Sequence, residues 1–221
     1  MNALMVVAKR PAAGQTKTRL TPPLSPDQAA ALYECFLRDT LDLMRNVPRV
    51  KPVIAYLPHD AQDYFAQLAP DFDLIPQIGD DLGMRLDQAL THYLAQGYER
   101  VAIMNSDGPT LPLEYLVRAF DALADHVDVT LGPSDDGGYY LIGLKKPAPR
   151  LLREVQMSTP RVTADTLALA DAEGLRVKLL PAWYDVDDID SLRHLRAELA
   201  AAPAHVAPHT RSFLLNTPMP L

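Results

Sequence analysis

The sequence predicts an α/β protein with a mostly parallel central sheet covered by helices on both faces. Three observations predict it. Strand-like and helix-like segments alternate from the first residues onward, the pattern of parallel strands joined by crossover helices. The apolar runs Leu4–Ala8 and Val101–Met104 are continuous, as in strands buried on both faces. The segments between them carry apolar residues at helical spacing and begin at capping residues.

Leu4–Ala8 is the first strand and ends at the loop KRPAAGQTKTRL, residues 9–20. Ser25-Pro26-Asp27-Gln28 then starts a helix: Ser25 is the N-cap, Pro26 sits at the first helical position and Gln28 completes a capping box. Leu32, Phe36, Leu37, Leu41 and Met44 keep helical spacing to about Arg45. Val53–Leu57 is a second strand. A short helix follows, capped by Asp60, with Tyr64, Phe65 and Leu68 inward. Leu74–Ile78 reads as a third strand, and QIGDDLGMRLDQAL as a glycine turn into a helix that ends near Gly97. Val101–Met104 is a fourth strand, stopped by Asn105-Ser106-Asp107-Gly108-Pro109. Leu113–Ala124 is a helix, and Val127–Leu131 and Tyr139–Leu144 are strands flanking GPSDDGG. Thr163–Glu173 is a helix closed by Gly174, Arg176–Leu180 a strand, Ala182–Asp187 an acidic loop and Ile189–Ala201 a helix. This predicts one domain over residues 1–202 and an irregular, proline-rich tail over 203–221.

The net charge is −7, from 21 basic and 28 acidic side chains. That argues against a general nucleic-acid binder, which needs a basic face, but leaves room for a small phosphorylated ligand. A single cysteine, Cys35, excludes an internal disulfide and fits a small, partly apolar helix position. No run approaches the about 18 apolar residues of a membrane span, and no signal segment is evident, so the chain reads as cytoplasmic and without a membrane partner. The six histidines show no metal-ligand spacing on a helix.

In this acidic chain Lys9, Arg10, Lys17 and Arg19 crowd one short loop around Gly14, with no acid before Asp27. A basic, glycine-containing loop at a strand end suits phosphate, and a merely solvated loop is the plainer alternative. The loop is not G-x-x-x-x-G-K-[ST], because Thr16 precedes Lys17-Thr18 and Pro22, Pro23 and Pro26 intervene before the helix. Asp107, flanked by Ser106 and Gly108 at the end of a buried strand, suits Mg²⁺, which takes one or two protein carboxylates and completes its shell with phosphate and water; otherwise it caps a turn. In WYDVDDIDSL, Asp188 should be the N-cap, leaving Asp185 and Asp187 two apart on the preceding loop, so that one of them can join Asp107. The bland reading is an acidic helix start. Gly137 and Gly138 after Asp135-Asp136 make either a hairpin turn or a bare loop against which substrate packs. Gly79 and Gly83, with Arg85 nearby, open a helix whose N-terminus can reach a ligand.

Together AKRPAAGQTKTRL, GDDLGMRL, NSDGPTLP, GPSDDGGYYLIGL and WYDVDDIDSL resemble the glycosyltransferase-A, or nucleotide-diphospho-sugar transferase, superfamily over about residues 3–196. More narrowly they look like a bacterial subfamily often labelled arsenosugar-biosynthesis glycosyltransferases. They are distantly similar to 2-phospho-L-lactate guanylyltransferase and to molybdenum-cofactor nucleotidyltransferases. The resemblance implies a Rossmann-like α/β/α sandwich with a nucleotide at the strand carboxyl ends. It implies that Lys9, Gly14, Lys17 and Arg19 lie at the phosphates, that Asp107 and Asp187 bind Mg²⁺ or Mn²⁺, and that Gly137 and Gly138 border the acceptor or sugar pocket. Asn105 and Gly108 depart from the family pattern of Gly and Ser, which bears on acceptor preference.

Two activities follow. One is a metal-dependent transfer from a nucleotide-sugar donor to a small-molecule acceptor. In it Lys17 and Arg19 assist the leaving diphosphate, Ser106, Gly79 and Gly83 help bind, and Asp136 is the candidate base. The other is nucleotidyl transfer from a triphosphate to a phosphorylated acceptor, releasing pyrophosphate. A nucleotide-binding module without catalysis is the third.

Overall fold

A computed structural model describes residues 1–217. A seven-stranded sheet forms the centre, in the order β3-β2-β1-β4-β6-β5-β7. The strands are β1 (Asn2–Lys9), β2 (Val50–Leu57), β3 (Asp73–Pro76), β4 (Arg100–Met104), β5 (Val129–Pro133), β6 (Tyr139–Leu144) and β7 (Val177–Leu179). β1 pairs in parallel with β2 and β4, β2 with β3, and β5 with β7, whereas β6 runs antiparallel between β4 and β5. The expected α/β/α architecture is therefore present.

Alternate side chains of each strand enter opposite layers. Leu4, Val6 and Ala8 of β1 pack toward α1 (Pro26–Arg45), α2 (Gln62–Leu68) and α4 (Leu113–Ala124). Ala3 and Met5 pack toward α3 (Leu82–Ala95), α5 (Arg150–Arg153) and α6 (Val162–Ala172). Both faces are apolar because both are covered, which is why the β1 and β4 runs show no alternation.

A third cluster joins Leu20 and Leu24 to Leu32 and Phe36 of α1, Leu192 and Leu195 of α7 (Ile189–Ala201) and Leu214 of α8 (Pro208–Asn216). It pins the loop after β1 to the helices behind it. A short 3-10 turn at Thr18–Leu20, which the sequence reading did not anticipate, delivers Leu20 into this cluster.

The expected capping box at Ser25 and the expected N-cap at Asp188 are both present. Gln28 N donates to Ser25 Oγ at 3.1 Å and Ser25 N to Gln28 Oε1 at 2.8 Å. Asp188 caps α7 by accepting from Ser191 N at 2.9 Å.

Three expectations are corrected. Asp60 does not cap α2; the N-cap is Ala61, without a side-chain bond, and Asp60 instead pairs with Arg10 at 3.6 Å. The third strand ends at Pro76, leaving Ile78 60% exposed. The tail is not irregular over 208–216, because Pro208 stands in the first helical turn, where its missing N–H is harmless. Asp39 of α1, 4% exposed, caps this helix by accepting from His209 N at 3.0 Å and Thr210 N at 2.8 Å. Burial pushes the Asp39 carboxyl above the usual carboxylate range, against the pull of these bonds. Residues 218–221 of the predicted tail lie outside the described residues.

Candidate active site

The site lies at the carboxyl ends of β1 and β4, where an open parallel sheet receives ligands. The loop leaving β1 folds back so that Lys17, in left-handed backbone geometry at φ 49°, begins the 3-10 turn. Its side chain is 6% exposed, and its ammonium bridges two carboxylates: Asp107 Oδ1 at 2.6 Å and Asp187 Oδ1 at 2.7 Å. The Phe36 ring lies 5.8 Å from the same nitrogen. Burial opposes the charge on Lys17, but the attraction and hydrogen bonds of Asp107 and Asp187 outweigh it and hold the group above its ordinary pKa.

Asp107 follows β4 in a loop tied to the segment before α7. Val186 N donates to Asp107 O at 2.9 Å, and a Cβ at Gly108 would stand 3.1 Å from Tyr184 O, so the two segments run in close contact. Asp185 and Asp187, two apart, serve different partners. Asp187 takes Lys17, while Asp185 accepts from Asn105 Nδ2 at 3.0 Å and Ser134 Oγ at 3.0 Å. Burial, and next the Asp107 charge, push the Asp185 carboxyl up to about 6, against the pull of those two hydrogen bonds. Asp185 thus braces β5 and β4 against the segment before α7.

Around this centre one cleft has two halves. The first, of about 460 Å³, is lined by Lys9, Lys17, Arg19 and Arg85 beside Ser106 and Asp107. Arg85 Nε is buried without a hydrogen-bond partner among the described residues, and its guanidinium reaches Gly79 O only at 3.5 Å. The second half, about 280 Å³, adjoins it through Asn105, Asp107 and Ser158 and continues past Asp136, Gly138 and Tyr139.

The structure brings together Lys9, Lys17, Arg19, Ser106, Asp107 and Asp187 in the first half, and Asp136 and Gly138 in the second. Arg10 turns away to Asp60, so the loop contributes three cations and α3 supplies the fourth through Arg85. Ser106 has its hydroxyl engaged in the wall, 3.1 Å from Tyr33 Oη and 3.4 Å from Val7 O.

Gly14, Gly79, Gly83 and Gly137 line neither half. Gly83 instead lets α3 touch α5, since a Cβ there would fall 2.0 Å from Leu152 O. Gly137, at φ +88°, would set a Cβ 2.1 Å from Pro160 O. These two glycines are packing and turn residues.

Tyr33, Gln77 and Ser158 line the first half without having been singled out. Tyr33 Oη accepts from Lys9 N at 3.1 Å and joins α1 to both strand ends through Ser106. Gln77 is 5% exposed and donates to Ala55 O at 2.8 Å. Tyr33 sits on the inward stripe of α1 and reads there as core. Ser158 lies in a segment with no period to read. Asn105 drew notice only as a departure from a pattern, not as the partner of Asp185.

Residues 40–159 match a family described as "Uncharacterized protein conserved in bacteria (DUF2064)". The chain is 31% identical over 137 residues to 2-phospho-L-lactate guanylyltransferase of Methanothermobacter thermautotrophicus, a match covering 61% of this chain and 59% of that one. The chain therefore spans less than two thirds of that relative's length. A crystal structure from Desulfovibrio desulfuricans G20, provisionally named a nucleotide-diphospho-sugar transferase, superposes with a TM-score of 0.90 at 32% identity, covering 97% of this chain and 94% of that one. The 4-diphosphocytidyl-2C-methyl-D-erythritol synthase of Anaerococcus prevotii shares the fold, with a TM-score of 0.60 at 13% identity over 90% of this chain and 98% of that one. Among the described residues no helix is long and apolar enough to cross a membrane. With more than half its length matched, the chain belongs to the DUF2064 family of bacterial proteins, on the fold of the nucleotide-diphospho-sugar transferases.

Proposed function

We propose that this protein is a metal-dependent transferase that takes a nucleotide-sugar donor and passes the sugar to a small-molecule hydroxyl acceptor. The observation that carries this reading is the convergence of Asp107 and Asp187 on a single cation position beside a cleft lined by four cationic side chains.

The donor set fits a hard dication. Two carboxylate oxygens already meet one positive group, the Lys17 ammonium, at 2.6 and 2.7 Å, and both carboxylates remain partly open, at 31% and 44% exposure. Two protein carboxylates are what Mg²⁺ or Mn²⁺ needs when phosphates and water complete the shell. Bound there, the dication would supply charge stabilisation to the departing diphosphate. Lys9, Arg19 and Arg85 bind the donor phosphates and orient the diphosphate, and Lys17 neutralises charge as it develops. In the transfer the bond between the sugar anomeric carbon and the diphosphate oxygen breaks and a bond to the acceptor oxygen forms. The acceptor proton passes to Asp136, whose Oδ1 accepts from Gly138 N at 2.9 Å and whose other oxygen takes no hydrogen bond from the described residues.

Nucleotidyl transfer is the second reading. Four cations suit a triphosphate, and the guanylyltransferase relative performs chemistry of that kind by its name. Product analysis separates the two. A nucleoside diphosphate released from a nucleotide sugar supports the first reading, whereas pyrophosphate released from a triphosphate, with no diphosphate product, sinks it.

The shared cation position makes a separate prediction. In the absence of nucleotide, Lys17→Met should bind Mn²⁺ more tightly than the parent by about tenfold, because the two carboxylates lose their competing counter-ion. The same variant should lose nucleotide affinity. Titration calorimetry checks both, and a weakened Mn²⁺ isotherm would separate the metal from the Asp107–Asp187 pair.

A further inference from the structure

We infer that the second half of the cleft selects an uncharged or cationic, hydroxyl-bearing acceptor with an apolar face, and rejects phosphorylated and carboxylated ones. The inference rests on the sugar transfer proposed above, not on the nucleotidyl transfer with its phosphorylated acceptor, and adds the acceptor's chemical class.

The chamber of about 280 Å³ contains no lysine, arginine or histidine among its lining residues, although the adjoining half contains four lysine or arginine side chains. Its charged groups are all carboxylates: Asp107, Asp136 and Asp185. Asp185 has both oxygens engaged once each, by Asn105 and Ser134, so it contributes negative potential with part of its acceptor capacity already taken. Asp136 keeps an oxygen open for a hydroxyl or ammonium donor.

The glycine turn offers an anion little in compensation. Four of the five backbone N–H groups from 134 to 138 are already committed: Ser134 N to Gly138 O, Asp135 N to Trp183 O, Gly137 N to Ser134 O and Gly138 N to Asp136 Oδ1. A backbone anion nest needs successive free N–H groups, and here they are consumed. An anionic acceptor would therefore enter a partly desolvated space facing like charges, which opposes its binding. A dication at Asp107 would not reverse this, because the donor's own phosphates match its charge.

Beside the polar Asn105, Ser158 and Thr159, much of the remaining wall is apolar, with Val7, Leu86, Ile103 and Val162, and suits the unsubstituted face of a ring. Tyr139 adds a polar group with little to bond to. Its hydroxyl has only the Met157 sulfur, at 3.8 Å, as a partner among the described residues, and sulfur is a weak acceptor. A ligand hydroxyl satisfies that group better than the thioether does.

The experiment uses the full chain with four probes of one scaffold: methyl α-glucoside, glucosamine, glucose 6-phosphate and glucuronate. Affinities are measured by ligand-observed NMR with a nucleoside diphosphate and Mg²⁺ occupying the cationic half, for the parent and for Thr159→Lys, which places a cation at the chamber wall. Nucleoside diphosphate binding with Mn²⁺ is followed in parallel by thermal shift. The neutral and amino probes should bind at least about tenfold more tightly than the two anions, and Thr159→Lys should reverse that order while leaving nucleotide binding unchanged. Anions bound as well as or better than the neutral probes, or no probe bound while nucleotide still binds, would overturn the acceptor inference alone. Failure of every nucleoside diphosphate to bind overturns the transferase reading beneath it.

Discussion

Asp107→Asn should lower turnover by about a hundredfold or more while leaving the protein folded. The size follows from losing a preorganised charge contact in the transition state, about 3 kcal/mol. The fold survives because the substitution is isosteric and Lys17 keeps Asp187 as a partner at 2.7 Å, so the buried ammonium is not left alone. Asn can still accept a hydrogen bond from Lys17, but it contributes no charge to a dication. Metal-dependent strengthening of nucleotide binding should therefore vanish with turnover. Steady-state assays with a melting curve on the same preparation check this. Turnover within about threefold of the parent would remove Asp107 from the centre of the mechanism, whereas a collapsed melting curve would show that its role is structural.

The largest effect on stability is expected at Gly83→Ala. A Cβ at this position would meet Leu152 O at 2.0 Å and Leu152 C at 3.0 Å. The obstructing atoms are backbone, so no rotamer change relieves the clash, and α3 must move away from α5. Overpacking costs about 1–3 kcal/mol, and the better helix propensity of alanine returns at most about 1 kcal/mol. The same movement loosens Asp87, 2% exposed on α3, from Arg153 Nε of α5 at 2.6 Å, leaving a buried carboxylate less well paired. A net loss of about 2–3 kcal/mol should lower the melting temperature by about 5–10 °C. If glycine at 83 were kept for ligand approach instead, the melt would hardly change and nucleotide affinity would fall.

Much of the fold was legible because its signals are local. Ser25 and Asp188 announce their helices through side chains that bond three residues on, and the continuous apolar runs of β1 and β4 report burial on both faces. The tail failed for a local reason too. Pro208 reads as a breaker when its place in the helix is unknown, and the cap that makes α8 comes from Asp39, 170 residues away in sequence. By charge and spacing alone the four cations of the first loop look equivalent, and only the family resemblance placed Lys9, Lys17 and Arg19, without Arg10, at the phosphates. The path of the chain sends Lys17 inward and Arg10 to Asp60.

The glycines divide in the same way. Sequence marks Gly83 and Gly137 as permissive positions, and permissiveness reads equally as room for a ligand or room for a neighbouring backbone. The carbonyls of Leu152 and Pro160 decide for the neighbour. The two aspartates after Tyr184 were indistinguishable by spacing, and they separate because Asn105 and Ser134 take one while Lys17 takes the other.

By itself, then, the sequence determined the α/β class, the order of the seven strands and of the helices other than α5 and α8, and the cationic and acidic residues on which the proposed function draws, because backbone propensity, capping and apolar period act within a few residues. The tertiary structure alone decided which of those residues meet. Sheet order sets β1 beside β4 and brings the segment before α7 against both, so Lys17 touches Asp187 across 170 positions of chain. It also decided that one half of the cleft is cationic and the other is not, since charge at a site is a sum over side chains from distant segments that no local window contains.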